Sequence, residues 1–291
     1  MAPSLTTRAR AKVNLDLRVV GRRADGYHEL ESLVAFAGVG DLLTLDPGAP
    51  LSLSIAGPRA EGLAVDDGNL VLRAAGALAA ARPGLRLGRF HLVKRLPVAS
   101  GIGGGSADAA AALRLLARLN GIALTDPLLH VVAARVGADV PVCLDSRTRL
   151  MAGIGERLGP QLRLPPLFAV LVNPGVAVET AAVFRALGLA PGQRLASAGT
   201  MSSTVPTSAP ELLGRLAASG NDLAAPARSV APAIDAVLER LSGLPGCRLA
   251  RMSGSGATCF ALFDDCGASA VAAKALQRER PGWWIKPTVF R

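Results

Sequence analysis

The sequence predicts an α+β fold in two domains. Short segments of alternating apolar and polar residues indicate strands, and Ala- and Leu-rich segments that end at glycines indicate helices. The two kinds of segment mix without the regular strand–helix–strand alternation of a parallel sheet. Because 291 residues suffice for two cores, we expect an N-terminal domain at 1–160 and a C-terminal domain at 161–291.

The first element is a strand predicted at 12–20. Its apolar positions alternate with polar ones, which is typical of a half-buried strand. The apolar members are Val13, Leu15, Leu17 and Val19, and the polar members are Lys12, Asn14, Asp16 and Arg18. An ammonium, an amide and a carboxylate therefore follow one another on one face. From this strand alone, an ordinary solvated strand face is the preferred interpretation over a functional site.

The remaining elements follow from the same signals. In the first half we predict strands at 42–45, 51–55 and 86–95, and helices at 69–82, from Ser106 to Gly121, and from Asp126-Pro127 to Gly137. In the second half we predict strands at 167–172 and 283–289, two strands around a Gly-Ser turn within 247–263, and helices from Thr180, at 232–242 and at 268–279. The Ser-, Thr- and Pro-rich stretch 196–210 is predicted to be a surface loop.

Composition excludes several classes of protein. No apolar run reaches the roughly 18–20 residues of a membrane span. The first ten residues lack the apolar stretch of a signal peptide, so a cytoplasmic location is expected and no membrane partner. The four cysteines (Cys143, Cys247, Cys259 and Cys266) form no CxxC pair and lack a histidine at metal-ligand spacing. They are interpreted as small buried thiols rather than zinc ligands.

The formal net charge of +10 suits an anionic partner. The arginines are scattered, however, and only 3% of the residues are aromatic, so the basic platform interleaved with aromatic residues that binds nucleic acid is absent from the sequence. Genome base composition is an equally simple source of an Arg- and Ala-rich chain. We therefore expect a small-molecule partner and no nucleic acid; the sequence does not indicate a number of subunits.

The segment 97–107 carries the clearest chemical signal. It is rich in glycine and serine and runs directly into a predicted helix. Glycines allow a close backbone approach, and the first N–H groups of a helix lack internal partners and carry a partial positive charge. These features predict a polyphosphate site, with a tight packing turn as the alternative. The candidate phosphate-binding residues are Pro97, Val98, Ala99, Ser100, Gly101, Ile102, Gly103, Gly104, Gly105, Ser106 and Ala107.

Ser106 and Asp108 lie at the start of this helix, where a hydroxyl or a carboxylate suits Mg²⁺ bound between phosphates. Capping of the helix N-terminus explains both residues without a metal. Ser106 is the better candidate of the two for a magnesium ligand.

The pattern Pro-x-x-x-Gly-Ile-Gly-Gly-Gly-Ser-Ala resembles the ATP motif of the GHMP kinases, a superfamily that includes galactokinase, homoserine kinase and mevalonate kinase. Segments 11–17 (AKVNLDL) and 21–32 (GRRADGYHELES) are similar to the member that acts on a cytidine diphosphate-linked methylerythritol. Further similar motifs occur in the family's order over nearly the whole chain: GADVPV at 137–142, GIGE at 153–156, NPG at 173–175, Asn221-Asp222 and MSGSGATCF at 252–260.

The resemblance implies a two-domain kinase with its active site in the interdomain cleft. It also implies that ATP, accompanied by Mg²⁺, phosphorylates the 2-hydroxyl of that cytidylyl substrate in the non-mevalonate route to isoprenoid precursors. Lys12 occupies the family's catalytic lysine position and Asp139 its catalytic aspartate. A carboxylate can accept the proton of an attacking hydroxyl, and a neighbouring lysine keeps the carboxylate ionised.

The resemblance further implies the substrate-binding residues. Tyr27 and Phe184 would sandwich the cytosine and His28 would bond its polar edge. The full implied set is Asn14, Tyr27, His28, Thr180, Phe184, Ser253, Gly254, Ser255 and Gly256. The chain departs from the commoner family pattern with Ala99-Ser100 in place of glycines, Ile102 in place of Leu and Asp108 in place of Asn.

Asp139 and Phe184 also have interpretations without a functional role, and the whole chain has two alternative interpretations. Asp139 suits a loop acid at a helix end, and Phe184 suits core packing on a helix. A kinase for homoserine or a mevalonate derivative would keep the glycine-rich segment but would not need Gly26-Tyr27-His28. A basic, non-catalytic RNA- or nucleotide-binding protein would not need Lys12 and Asp139 together.

Overall fold

The structure, a computed structural model, describes residues 3–195 and 205–290. The chain forms two compact units, and neither is one continuous stretch. The first comprises the chain up to Lys12, Gly40–Val98 and Gly103–Ser146, and the second comprises Val13–Val39, Ala99–Ile102 and the chain from Arg147 onward. The single boundary between residues 160 and 161 stays a prediction.

The strands of the described chain are β1 (Leu5–Asn14), β2 (Arg18–Arg22), β3 (His28–Pro47), β4 (Ser52–Ala56), β5 (Gly88–Val93), β6 (Arg149–Gly153), β7 (Arg157–Gln161), β8 (Leu167–Asn173), β9 (Leu249–Met252), β10 (Cys259–Phe263) and β11 (Trp284–Phe290). The helices are α1 (Leu70–Ala81), α2 (Gly104–Asn120), α3 (Pro127–Val136), α4 (Val140–Asp145), α5 (Thr180–Leu187), α6 (Ala209–Ala217), α7 (Ala224–Val230), α8 (Ala233–Ser242) and α9 (Cys266–Glu279).

The first unit packs helices against a small sheet. The last part of β3 pairs antiparallel with β5, and β4 joins the other edge of β5 in parallel. Alternation sets the buried face: Leu45 opposite Phe90 is buried, whereas Asp46 opposite Arg89 faces outward. One face of this sheet therefore supplies the core, as its alternating sequence requires.

Helix α2 is the central helix of this unit and contacts α1, α3 and α4. Its run Ala109–Ala112 is completely buried. Alanine has high helix propensity and a short side chain, so neighbouring helices can approach α2 closely. This packing fixes the helix whose first turn, from Gly104, contains the end of the glycine-rich segment.

The second unit contains an antiparallel sheet in the order β11–β8–β10–β9. Its strand β8 is apolar up to Val172 and is buried between β11 and β10, with α9 packed against β8 and β11 and α8 packed against β9 and β10. The first part of β3 carries β2 and β6 in the same unit. A continuous apolar cluster that includes Val172, Val183, Ile234 and Phe263 fills the interior.

Most predicted elements are confirmed, with small shifts at their ends. The helix predicted at 69–82 is α1, capped by Asn69, and the helix predicted from Asp126-Pro127 is α3, capped by Asp126. The mixture of helices and strands confirms the α+β class. Strands β6 and β7 and helices α4, α6 and α7 were not predicted; each is short, at five to nine residues, and offers little periodicity.

Three predicted elements need correction. The strand predicted at 42–45 is the end of β3, which runs for 20 residues from His28. The strand predicted at 12–20 is two strands, β1 and β2, separated by residues 15–17, and its polar residues are not solvated: Lys12, Asn14 and Asp16 are 4%, 1% and 5% exposed. The loop predicted at 196–210 lies outside the described residues at 196–204. Its last two residues begin α6, whose N-terminus is capped by Ser208.

The cysteines differ in environment. Cys143 and Cys259 are buried and Cys247 is partly buried, as predicted, but Cys266 is exposed at the start of α9, which corrects the prediction of four buried thiols. Within residues 3–195 and 205–290, no group of three His, Cys, Asp or Glu side chains is arranged to hold a metal ion. No helix in the same ranges is long and apolar enough to cross a membrane.

Candidate active site

An ion pair joins the two residues of the implied catalytic pair, although 127 positions separate them in sequence. Lys12 Nζ donates to Asp139 Oδ2 at 2.8 Å, with side-chain exposures of 5% and 32%. Asp139 directly precedes α4, but its side chain makes no capping bond to that helix. The carboxylate is therefore committed to Lys12 and stays accessible, which is what a group that meets a substrate hydroxyl requires.

Gly103 brings the glycine-rich segment against Lys12. It caps α2 in the left-handed region with φ +61°, and a Cβ at this position would lie 3.3 Å from Lys12 Cβ and 3.4 Å from Lys12 Cε. The lysine side chain thus runs alongside the segment before it reaches Asp139. A side chain at 103 would contact the lysine and would strain the backbone.

The start of α2 offers a set of N–H groups. The first hydrogen bond at this end runs from Ala107 N to Gly103 O, so Gly104, Gly105 and Ser106 have no N–H partner within the helix. Gly104 is buried, Gly105 is exposed and Ser106 is partly buried. A 17-residue helix with these free donors is suited to binding an anion through its backbone.

Asp108 fits neither of the two interpretations that the sequence allowed. Gly103 caps the helix without a side-chain bond, and the Asp108 carboxylate turns inward to Lys94, whose Nζ donates to it at 2.6 Å. Lys94 Nζ also donates to Asp41 Oδ2 at 2.7 Å. All three side chains are buried, with exposures no higher than 4%. Ser106 remains as the oxygen donor at the helix start.

This buried cluster makes stability depend on pH. Burial raises the pKa of Asp108 to about 7, with Asp41 adding to the effect and Lys94 opposing it. Since the unfolded value is 3.8, the folded chain retains a proton between pH 4 and pH 7 that the unfolded chain has released. The contribution of Asp108 to stability is therefore greatest below pH 4 and is lost as the pH rises to 7.

Asp108→Asn is accordingly expected to stabilise the protein at pH 8 more than at pH 4.5, by ~4 kcal/mol across the range. Thermal unfolding of both proteins at several pH values measures this difference. A difference in Tm that does not change with pH would contradict the prediction.

The turn Ser253–Gly256 lies against the middle of the glycine-rich segment. Ser253 Oγ donates to Gly101 O at 3.1 Å, and Thr258 N donates to Ser100 O at 3.1 Å. The two backbones are in such close contact at Gly101 that a Cβ there would lie 2.5 Å from Ser253 O. This part of the segment is therefore held by hydrogen bonds to a second glycine-rich turn.

Ala99 explains one departure from the family pattern. Its φ is +48°, in the region that glycine adopts without strain, and its carbonyl accepts from Val178 N at 3.3 Å. Glycine would therefore adopt the backbone conformation of this position with less strain than alanine. Of the remaining segment residues, Pro97, Ser100 and Ile102 are buried and Val98 is exposed.

Asn14 presents a buried acceptor at the same turn. Its Nδ2 donates to Ser32 Oγ at 2.7 Å, and its backbone N donates to Ser253 Oγ at 3.1 Å. Its Oδ1 has no hydrogen-bond partner among the described residues and would lie 3.4 Å from a Cβ on Gly254. A buried oxygen without a partner costs free energy, which a substrate donor can offset.

Two further contacts fix the turn. Asn221 Nδ2 donates to Met252 O and to Gly254 O, both at 2.8 Å, and so stabilises the turn. Thr180 and Ser255 share a hydrogen bond between their hydroxyls at 2.9 Å. The sequence matched Asn221 to a family motif but assigned it no role, because its two acceptors are backbone atoms more than 30 residues away.

The aromatic residues are arranged differently from the expected sandwich. The His28 ring stacks on the Phe184 ring, with centroids 4.5 Å apart and planes 23° from parallel. Tyr27 is 60% exposed. Burial and nearby Arg22 lower the pKa of His28, so its imidazole is neutral at pH 7. Its buried Nε2 has no partner within the described chain. The pair combines a stacking surface with an unused hydrogen-bonding atom.

Family models match both halves of the chain. The model of the GHMP kinases N terminal domain matches residues 69–147, and that of the GHMP kinases C terminal matches residues 203–281. The first range contains the glycine-rich segment and Asp139, and the second contains Asn221 and the turn Ser253–Gly256.

Similar proteins cover the full length. The chain is 62% identical to 4-diphosphocytidyl-2-C-methyl-D-erythritol kinase of Methylobacterium radiotolerans and 58% identical to that of Xanthobacter autotrophicus, each over 99% of both chains. A crystal structure of 4-(cytidine 5'-diphospho)-2C-methyl-D-erythritol kinase matches with a TM-score of 0.75 and 35% identity, covering 98% of this chain and 99% of that one. A homoserine kinase from Cytophaga hutchinsonii shares the fold, with a TM-score of 0.63 and 19% identity over 100% and 95% of the two chains.

Proposed function

Because the chain belongs to the GHMP kinases, and within them to the family of 4-diphosphocytidyl-2-C-methyl-D-erythritol kinases, we propose that it transfers the γ-phosphoryl group of ATP to the 2-hydroxyl of that cytidylyl substrate. The products are the 2-phosphate and ADP. The observation that carries the proposal is the ion pair between Lys12 and Asp139, with the lysine side chain against Gly103 of the glycine-rich segment.

The proposed mechanism assigns distinct tasks to the two members of the pair. Asp139 accepts the proton of the attacking hydroxyl, which makes its oxygen a better nucleophile toward the γ-phosphorus. Lys12 holds that carboxylate in place through the 2.8 Å hydrogen bond. Alignment of the two substrates supplies much of the rate, since phosphoryl transfer depends mainly on positioning and charge stabilisation.

The N–H groups at the start of α2 are proposed to bind the ATP phosphates, together with the backbone of 97–107. Ser106 fits a magnesium ion that is bound mainly by phosphate oxygens and water, because Mg²⁺ requires few protein ligands in such sites. When bound, the ion would neutralise charge on the phosphates. Use of ATP also fits the cytoplasmic location that we propose.

For the acceptor, we propose that the cytosine stacks beside Phe184 and is bonded by His28, with Tyr27 covering its outer face. Supporting this, His28 is neutral at pH 7, so it can donate with one ring nitrogen and accept with the other. Asn14 Oδ1 and the hydroxyls of Thr180 and Ser255 are the proposed polar contacts of the polyol.

We also propose that residues 1–160 and 161–291 form the two domains.

Phe184→Leu is expected to raise the KM for the cytidylyl substrate about tenfold, because stacking on a base is worth ~1–3 kcal/mol. The KM for ATP should stay within about twofold, since Phe184 is not part of the proposed nucleotide site. Phe168→Leu is the matched control: it makes the same change at a partly buried Phe, on β8. Equal effects of the two variants on the acceptor KM would contradict the role of Phe184.

The substrate itself is tested by ADP release against three alcohols: the cytidylyl methylerythritol, homoserine and mevalonate. We expect turnover with the first only, and phosphorus NMR of its product should place the new phosphate on the 2-hydroxyl. Activity with homoserine or mevalonate alone would overturn the assignment in favour of another kinase of the same fold.

A further inference from the structure

The buried cluster of Asp41, Lys94 and Asp108 takes no part in the chemistry proposed above. It places two carboxylates and one ammonium in the interior of the first unit, where desolvation makes ionic groups costly. Apolar side chains of similar size usually fill such a position at lower cost. A cluster with this composition therefore calls for a role other than stability.

Its position relative to the glycine-rich segment supplies that role. Asp41 Oδ1 accepts from Arg95 N at 2.5 Å and from Leu96 N at 2.8 Å, which are the two backbone groups directly before Pro97. Asp41 thus holds the chain where it enters the segment. Asp108 is the first residue after Ala107, where the segment has continued into α2.

Lys94 connects these two points. Its Nζ donates to Asp41 at 2.7 Å and to Asp108 at 2.6 Å, and a Cβ on Gly104 would lie 3.2 Å from the same nitrogen. The ammonium therefore bridges the entry and the exit of the segment and contacts the first residue of α2. Both ends of the segment 97–107 are therefore held by hydrogen bonds of the same buried cluster.

We propose that Asp41, Lys94 and Asp108 are positioning residues for the nucleotide, which fix the distance and direction between the two ends of the segment 97–107. A site that binds phosphates through backbone N–H groups has no long side chains with which to adapt, so its affinity depends on preorganisation of the backbone. This inference rests on the proposed function, because it takes ATP to be the ligand of the segment.

Asp108 offers the most informative substitutions. Asn keeps the shape and an oxygen that accepts from Lys94. Leu keeps a similar volume but removes the acceptor, so Lys94 loses its bond to α2 and keeps only that to Asp41. The two variants therefore distinguish the effect of the hydrogen bond to Lys94 from the effect of side-chain volume.

Arg114 provides a matched control on the same helix. Its guanidinium is partly buried, and it donates to Cys143 O at 2.8 Å and to Arg8 O at 2.9 Å, away from the glycine-rich segment. Arg114→Met should lower the Tm without altering the site. It reports what general destabilisation of the first unit does to nucleotide binding.

The experiment measures ADP affinity by calorimetry without acceptor, and the KM for each substrate, well below the Tm of every variant. Asp108→Leu should weaken ADP binding and raise the KM for ATP about tenfold, as expected for loss of a charged buried hydrogen bond, with the acceptor KM within about twofold. Asp108→Asn and Arg114→Met should both keep ADP affinity within about threefold of the original protein.

Wild-type ADP affinity in folded Asp108→Leu would overturn the proposal, as would equal weakening by Arg114→Met. Should the Leu variant not fold, Asp108→Ala removes the same bond without adding apolar bulk and is judged by the same affinities. Calorimetry with ADP does not involve the acceptor. If the original protein binds ADP but leaves the cytidylyl substrate unphosphorylated, the proposed function fails while this inference is still decided.

Discussion

Asp139→Asn is expected to lower kcat by about 10²–10⁴-fold, the usual contribution of a positioned general base. The amide keeps the size of the carboxylate but cannot accept the hydroxyl proton, and it no longer provides the negative charge that holds Lys12 at 2.8 Å. The KM values should change much less, because Asp139 acts on the hydroxyl mainly as the bond to phosphorus forms. Single-turnover ADP formation with saturating ATP and acceptor measures the effect.

Asp126→Asn is the appropriate control for this variant. It makes the same change in the same unit, at the N-cap of α3, where Asn caps as well as Asp. Its kcat should match that of the original protein. If Asp139→Asn turned over at the original rate, Asp139 could not be the base, and the ion pair with Lys12 would be structural.

Gly101→Ala is expected to reduce kcat/KM for ATP about 100-fold, because a displacement of about 1 Å in a positioning element costs that much. The residue has φ +74°, and its new Cβ would lie 2.5 Å from Ser253 O and 2.7 Å from Gly256 O. Both obstacles are backbone atoms, so the glycine-rich segment and the turn Ser253–Gly256 must separate. The acceptor KM should rise too, since Ser253 Oγ also bonds Asn14 N.

Gly246→Ala is the control that separates the effect of steric crowding at the new Cβ from the effect of backbone strain. Gly246 has the same φ, +74°, and within the described chain nothing lies within 4 Å of the Cβ position. Both variants bear the cost of alanine at positive φ, about 1 kcal/mol or more. Only Gly101→Ala should lose activity. Equal kcat/KM values in the two variants would refute close backbone packing as the reason for glycine at 101.

Much of the fold was accessible from the sequence because local signals coincide with the elements. Helix α3 shows this well: Asp126 caps it and Pro127 opens it. Strand β1 shows the limit, since alternation predicted one buried face and tertiary packing buried both. Periodicity reports the spacing of apolar residues along the chain and contains no information on what covers the other face.

The candidate site was predictable to the extent that backbone chemistry determines it. Glycines before a helix identified the segment that we propose binds phosphate, but Asp108 was assigned to capping or to magnesium. Its partner Lys94 lies 14 residues before it, and Asp41 is brought to Lys94 by the pairing of β3 with β5. Contacts of this kind arise from folding and leave no local pattern.

The four cysteines differ in burial, which allows one of them to be labelled selectively. Burial raises the pKa of Cys143 to about 12 and also raises those of Cys247 and Cys259, so these thiols remain protonated and slow to react at neutral pH. Cys266 is exposed at the start of α9. A maleimide fluorophore should therefore attach at this one position, giving homogeneously labelled protein without introducing any substitution.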